Sequence, residues 1–172
     1  MAIGTIIIAI MEMGSINKTR FITFIIIYPM LLVPLIIKKI KLKIKDDKIF
    51  LYLIFIFIAD FLGCVVNLYN TVSWFDLFAH FLSGIFTFIL GLIIYDKIAP
   101  NNKNKVLKTL FCLGIVAIII VVWEIIEFTG DNLIGSNLQH NLDTGVNDTM
   151  TDMIVALLGG ILSSVYTFFK RN

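Results

Sequence analysis

The 172 residues are 59% hydrophobic and 15% charged, with a formal net charge of +2 and a mean hydropathy of +0.96. A soluble domain has no room to hide that much apolar side chain, so the composition excludes one and points to a polytopic membrane protein. No Walker loop, dinucleotide-binding glycine pattern, Ser-His-Asp signature or nucleic-acid motif occurs, and no nucleic-acid partner is expected.

A helix needs about 20 mostly apolar residues to cross the hydrocarbon core, within a range of about 17–25. Six segments are candidates, at about 2–14, 20–37, 48–69, 74–96, 107–128 and 149–169. Segment 2–14 is short and reads as a tilted span or as a re-entrant piece, leaving six spans or five plus that piece. Its opening residues lack Lys and Arg and no small-x-small site follows, so it does not read as a cleaved signal peptide. Segment 20–37 contains Pro29 and Pro34, which should kink it. Segment 48–69 carries Asp60 near its middle. A carboxylate there costs about 2.5–3.5 kcal/mol on insertion scales, so Asp60 should face the bundle interior.

Segment 74–96 opens "SWFDLFAHFLSG", in which Asp76 and His80 stand four apart and share a helix face continued by Gly84. Segment 107–128 closes on "VVWEIIEFTGD", with Glu124 and Glu127 at the end of a long uncharged run. The last segment opens "NDTMTDMIVALLGG". Asp148 and Asp152 are again four apart, followed on the same ridge by Ala156, Gly160 and Ser164, small enough to admit a neighbouring helix closely. Cys64 and Cys112 lie inside apolar runs and read as packed thiols. The expected fold is an all-α transmembrane bundle forming one integral membrane domain over 1–172.

Charge distribution orients that bundle. With six spans, lysines at 38–48, at 97–108 and the tail residues Lys170 and Arg171 fall on one side, twelve of the fourteen basic residues; Lys18 and Arg20 fall on the other. By the positive-inside rule the first side is cytoplasmic and holds both termini. Nine of the twelve acids, including Asp60, Asp76, Glu124, Glu127, Asp148 and Asp152, then lie in the outer half or the outer loops. A positive partner other than Lys or Arg must balance them, or protons or water must.

Plain structural explanations cover part of this set. Ser73-x-x-Asp76 and Thr149-x-x-Asp152 fit helix-start capping boxes, and acids favour a helix N-terminus. His80 alone fits a hydrogen-bonded packing residue. Asp131, His140, Asp143 and Asp148 sit among Gly and Asn in 129–148 and fit an exposed turn. Capping does not account for Glu124 and Glu127, at a helix C-terminal end where the dipole disfavours negative charge. Asp76, His80, Glu124 and Asp152, arriving from three helices, form a donor set suited to a divalent metal ion, with Glu127 or Asp148 beside them as general base.

The stretches "WFDLFAHFLSG", "WEIIEFTGDNLIGSNLQ" and "DTGVNDTMTDMIVALLGG" resemble the YjdF-like family of small bacterial membrane-spanning proteins of unknown function, over about residues 60–162. A looser likeness, resting on an intramembrane D-x3-H and later acids, is to VanZ-like proteins, a multi-span group linked to glycopeptide tolerance at the cell envelope. These resemblances imply a bacterial cytoplasmic membrane protein and transfer no catalytic residue. The expected function is divalent-cation binding in an outward-facing pocket that binds or acts on an envelope lipid, lipid-linked ligand or other small molecule. Two alternatives stay open: a proton- or cation-coupled transporter of small solutes, and a non-catalytic membrane scaffold.

Overall fold

A computed structural model describes residues 30–36, 39, 44–135, 138–139 and 146–169, apart from the side chains of Asp60, Val65 and Ile134. Segment 2–14, most of 20–37, and His140 and Asp143 lie outside the described residues. Those described are helical between short turns, with no strand among them, as an all-α fold requires. After a helical stretch at 30–36 come α1 (Asp46–Ile56), a π-helical segment (Phe57–Val65), α2 (Leu68–Thr71), α3 (Phe75–Ile98), α4 (Lys105–Ile134) and α5 (Asn147–Phe169).

Local chemistry sets these boundaries. Asp46 and Asp47 occupy the first turn of α1, where the helix dipole favours acids. The π-helical segment gives way at Asn67, whose φ of 70° is a left-handed value that Asn tolerates better than most residues. A turn joining the Val72 carbonyl to the Phe75 N–H at 3.0 Å leads into α3. That helix stops before Pro100, which has no N–H to continue it. Asn104 opens α4, its Oδ1 accepting the Leu107 N–H at 3.0 Å as an N-cap. Gly135 ends α4 with φ of 69°, its N–H donating back to the Asp131 carbonyl at 3.1 Å.

The described residues cluster into two compact units whose dividing points fall inside α3 and α4. The first holds residues up to Asp76 together with Gly130–Leu138. In it Ile56 and Cys64 are buried among Met30, Leu31, Tyr52, Phe55 and Tyr69. The Tyr52 hydroxyl donates to the Met30 carbonyl at 2.7 Å. An α-helix would give that carbonyl the N–H of residue 34, which is a proline, so the tyrosine supplies the donor the helix lacks.

The second unit holds Leu77–Thr129 and the residues from Gln139 onward, so it comprises most of α3, most of α4 and all of α5. Each helix buries one ridge at near four-residue spacing: His80, Gly84, Phe88, Gly91 and Tyr95 on α3; Cys112, Val116, Ile120 and Glu124 on α4; Asp152, Ala156, Gly160 and Ser164 on α5. Glycines set the register. A Cβ on Gly84 would run into the Ala156 carbonyl, and one on Gly159 into the Phe81 carbonyl, so the α3 and α5 backbones touch. A Cβ on Gly91 would lie 2.9 Å from Cys112 Cα, and one on Gly160 3.1 Å from Val116 Cγ2. This is the close approach that small residues permit between membrane helices. Ser83, Thr87, Ser163 and Ser164 donate to carbonyls three or four residues back, which satisfies hydroxyls that apolar surroundings would leave stranded. Cys64 and Cys112 are thiols outside any disulfide, and both are buried, Cys112 fully, as packed thiols should be.

Candidate functional site

The register of the second unit determines what meets at its polar end. One turn before the Gly84–Ala156 contact come His80 on α3 and Asp152 on α5. Both are buried, at 7% and 1% exposure, and His80 Nε2 stands 3.8 Å from Asp152 Oδ2. Asp76 lies one turn before His80 on the same helix. One donor atom each from Asp76, His80 and Asp152 falls within 4.8 Å of the others. That spacing allows all three to reach a single cation.

Glu124 approaches from α4. Counting two turns from the Val116–Gly160 contact brings Glu124 level with Asp152. Counting three turns from the Cys112–Gly91 contact brings it, to within about one residue's 1.5 Å rise, level with His80. It is buried at 5% exposure at the end of the inward ridge. Its carboxylate is outside the three-residue donor group, as is that of Asp148, which is half-buried and acts electrostatically on His80.

Glu127 is placed differently from Glu124. It lies off the buried ridge and is half-buried, its Oε1 accepting the Trp123 indole N–H at 2.7 Å. The i, i+4 spacing of that pair is visible in the sequence, yet Trp123 reads there most simply as an aromatic residue at a membrane interface. Asp60 belongs to the π-helical segment, and the expectation about its side chain lies outside the described residues.

Three local expectations are corrected. Thr149 is not an N-cap: α5 begins at Asn147, Thr149 accepts a 3.0 Å hydrogen bond from the Gln139 amide, and Asp152 stands in the second turn. Ser73 lies in the turn before α3, one residue ahead of the N-cap position that a start at Phe75 defines, and Asp76 keeps its favourable place in the first turn. Asp131 and Asp148 are helical rather than residues of an exposed turn, and Asp148 is half-buried in the first turn of α5. Asp131 Oδ1 accepts the Leu138 N–H at 2.7 Å and so fastens the chain leaving α4. The sequence also gave no reason to single out Gln139, which is 7% exposed.

Fold and site together define a helical protein with, among the described residues, three helices, Phe75–Ile98, Lys105–Leu133 and Asn147–Phe169, long and apolar enough to cross a membrane, and beside one end an Asp/His/Asp group of which His80 and Asp152 are buried. Residues 1–172 match the family described as Predicted membrane protein (DUF2238), and the chain belongs to that family. The YjdF-like resemblance agrees with it. An uncharacterized protein of Thermotoga maritima is 28% identical over 123 residues, covering 68% of this chain; the chain spans 59% of that relative's length. No solved structure matches.

Proposed function

We propose that the chain is a multi-pass protein of the bacterial cytoplasmic membrane whose polar centre holds a divalent cation and binds or acts on an envelope lipid or lipid-linked ligand. The supporting observation is the convergence of Asp76, His80 and Asp152 donors to within 4.8 Å, two of the three residues being buried, at one end of helices apolar enough to span a bilayer. Ionisable groups in such helices are expensive unless something compensates them, and they mark functional sites by default. Carboxylate oxygens with one imidazole nitrogen suit a hard or borderline divalent ion.

In this reading Asp76, His80 and Asp152 are the ligands, with Glu124 at the same level completing the set. Asp148, or Glu127 held by Trp123, serves as general base. The cation would polarise a phosphoryl or carbonyl oxygen or activate a water. The positive-inside rule, applied to the lysine-rich connections, supports a centre on the outer side with both termini in the cytoplasm. Metal analysis of the purified full-length chain tests this. Wild type should carry a stoichiometric divalent ion, His80→Ala and Asp152→Asn should lose it, and a metal-free wild type after exposure to Mg²⁺, Mn²⁺ and Zn²⁺ overturns the reading.

A second reading, proton- or cation-coupled transport, is favoured by the π-helical segment that carries Asp60. Such helices concentrate at functional sites. Uptake into vesicles that depends on Asp60 would support it. Wild-type behaviour of His80→Ala and Glu124→Gln in both assays would favour a scaffold.

A further inference from the structure

The other end of the second unit, where α3 stops, α4 starts and α5 stops, is basic. Between Tyr95 and Lys108 the chain has Lys97, Lys103, Lys105 and Lys108 against the single acid Asp96. Two of these lysines link the helix ends. Lys108 pairs with Asp96, joining α4 to α3, and Lys105 Nζ donates to the Phe168 carbonyl at 3.4 Å, joining α4 to the end of α5. Lys97 and Lys103 are exposed. The net surplus of positive charge is therefore gathered where three apolar helices end.

An apolar strip adjoins it. On α4, Val106 and Leu107 between Lys105 and Lys108, and Leu110 just past them, are exposed at 56%, 47% and 62%. The same row continues through Gly114 to Ile118, which is 61% exposed. A Cβ added to Gly114 would meet nothing within 4 Å, so the glycine leaves a notch between two protruding side chains. Positive charge at the headgroup level with a notched apolar strip leading away from it fits one class of ligand. We propose that this end of the unit binds an anionic phospholipid, its phosphate among Lys97, Lys103 and Lys105 and an acyl chain along Leu110, Gly114 and Ile118. Juxtamembrane lysines attract anionic headgroups, and basic pockets between membrane helices bind them specifically. The assignment does not depend on the polar centre at the opposite end.

Native mass spectrometry of the full-length chain tests it, with phosphatidylglycerol and phosphatidylcholine of identical acyl chains. Wild type should retain phosphatidylglycerol preferentially. Lys97→Gln/Lys103→Gln, which leaves the Lys105 and Lys108 contacts untouched, should lower that retention by about five-fold per lysine while phosphatidylcholine retention stays constant. Gly114→Leu should lower retention of both lipids. Lys103→Gln alone gives the same readout at about five-fold should the double variant not fold. Equal retention of the two lipids by wild type overturns the proposal, as does unchanged retention in the lysine variants. An equal loss from Lys39→Gln/Lys41→Gln would show diffuse charge rather than a site. Displacement of the lipid by excess inorganic phosphate would show a free-phosphate site instead.

Discussion

The second unit sets a basic side chain against an acidic one at both ends, and the two pairs differ in almost every physical respect. At one end His80 and Asp152 have side chains 8% and 2% exposed. At the other, Lys108 and Asp96 are 29% and 64% exposed. Water screens the second pair, and exposed pairs of this kind contribute about 0–1 kcal/mol. The first pair has exchanged water for protein, so each group depends on its neighbours, and removing one leaves the other in surroundings that cannot hydrate it. Burial, more than charge, separates a group that helps to define a site from one that trims a surface.

That contrast can be tested by a graded series of substitutions. The largest effect should come from Gly84→Ala, because its Cβ would overlap the Ala156 carbonyl and force the backbones beneath the polar end apart. A loss of about 3 kcal/mol or more is expected, read as a fall in thermal stability in detergent. Asp152→Ala should cost about 1–3 kcal/mol in the same measurement, because the His80 imidazole stays buried opposite the gap. Trp123→Phe removes one half-buried hydrogen bond to Glu127 and should cost about 0.5–1.5 kcal/mol. Asp96→Asn should shift stability by no more than about 1 kcal/mol. Should Asp96→Asn cost as much as Asp152→Ala, the distinction between the ends collapses. Gly114→Ala, in open space on an exposed helix face, should raise stability by up to about 1 kcal/mol through helix propensity, the opposite sign from Gly84→Ala.

Much of the fold is legible in hydrophobic runs. The expected segments 74–96 and 149–169 fall within two residues of α3 and α5, because a long apolar run bounded by turn residues has few other solutions. The end of α4 is less legible. "TGDNLIG" offers two glycines as stopping points, and the helix continues through Gly130 to Gly135, where the left-handed conformation and the Asp131–Leu138 hydrogen bond close it. Those partners meet only once the chain has turned. The π-helical course at Phe57–Val65 likewise leaves no periodic mark strong enough to separate it from an α-helix.

The candidate site divides in the same way. Asp76 with His80, and Asp148 with Asp152, are visible as pairs because four-residue spacing is a property of one helix. Their mutual approach is a property of two helices, set by which small residues touch, and "LSGIF" and "LLGGI" do not announce that Gly84 meets Ala156 while Gly159 meets Phe81. The separate placements of Glu124, on the buried ridge, and Glu127, against Trp123, follow from a helix phase that only packing could fix.

On the proposed reading that the polar centre holds a divalent cation, the backbone contact at Gly84 has a geometric corollary for selectivity among ions. It lies one turn, about 6 Å, from the level of His80 and Asp152, so it acts as a fulcrum with a short lever. Tilting α5 by 10° about that point would change the gap between facing donors by only about 1 Å, comparable to the spread of metal–ligand distances among common divalent ions. Discrimination by ionic radius would then be governed by two glycines that never touch the ion, and enlarging either should retune preference before any ligand is altered.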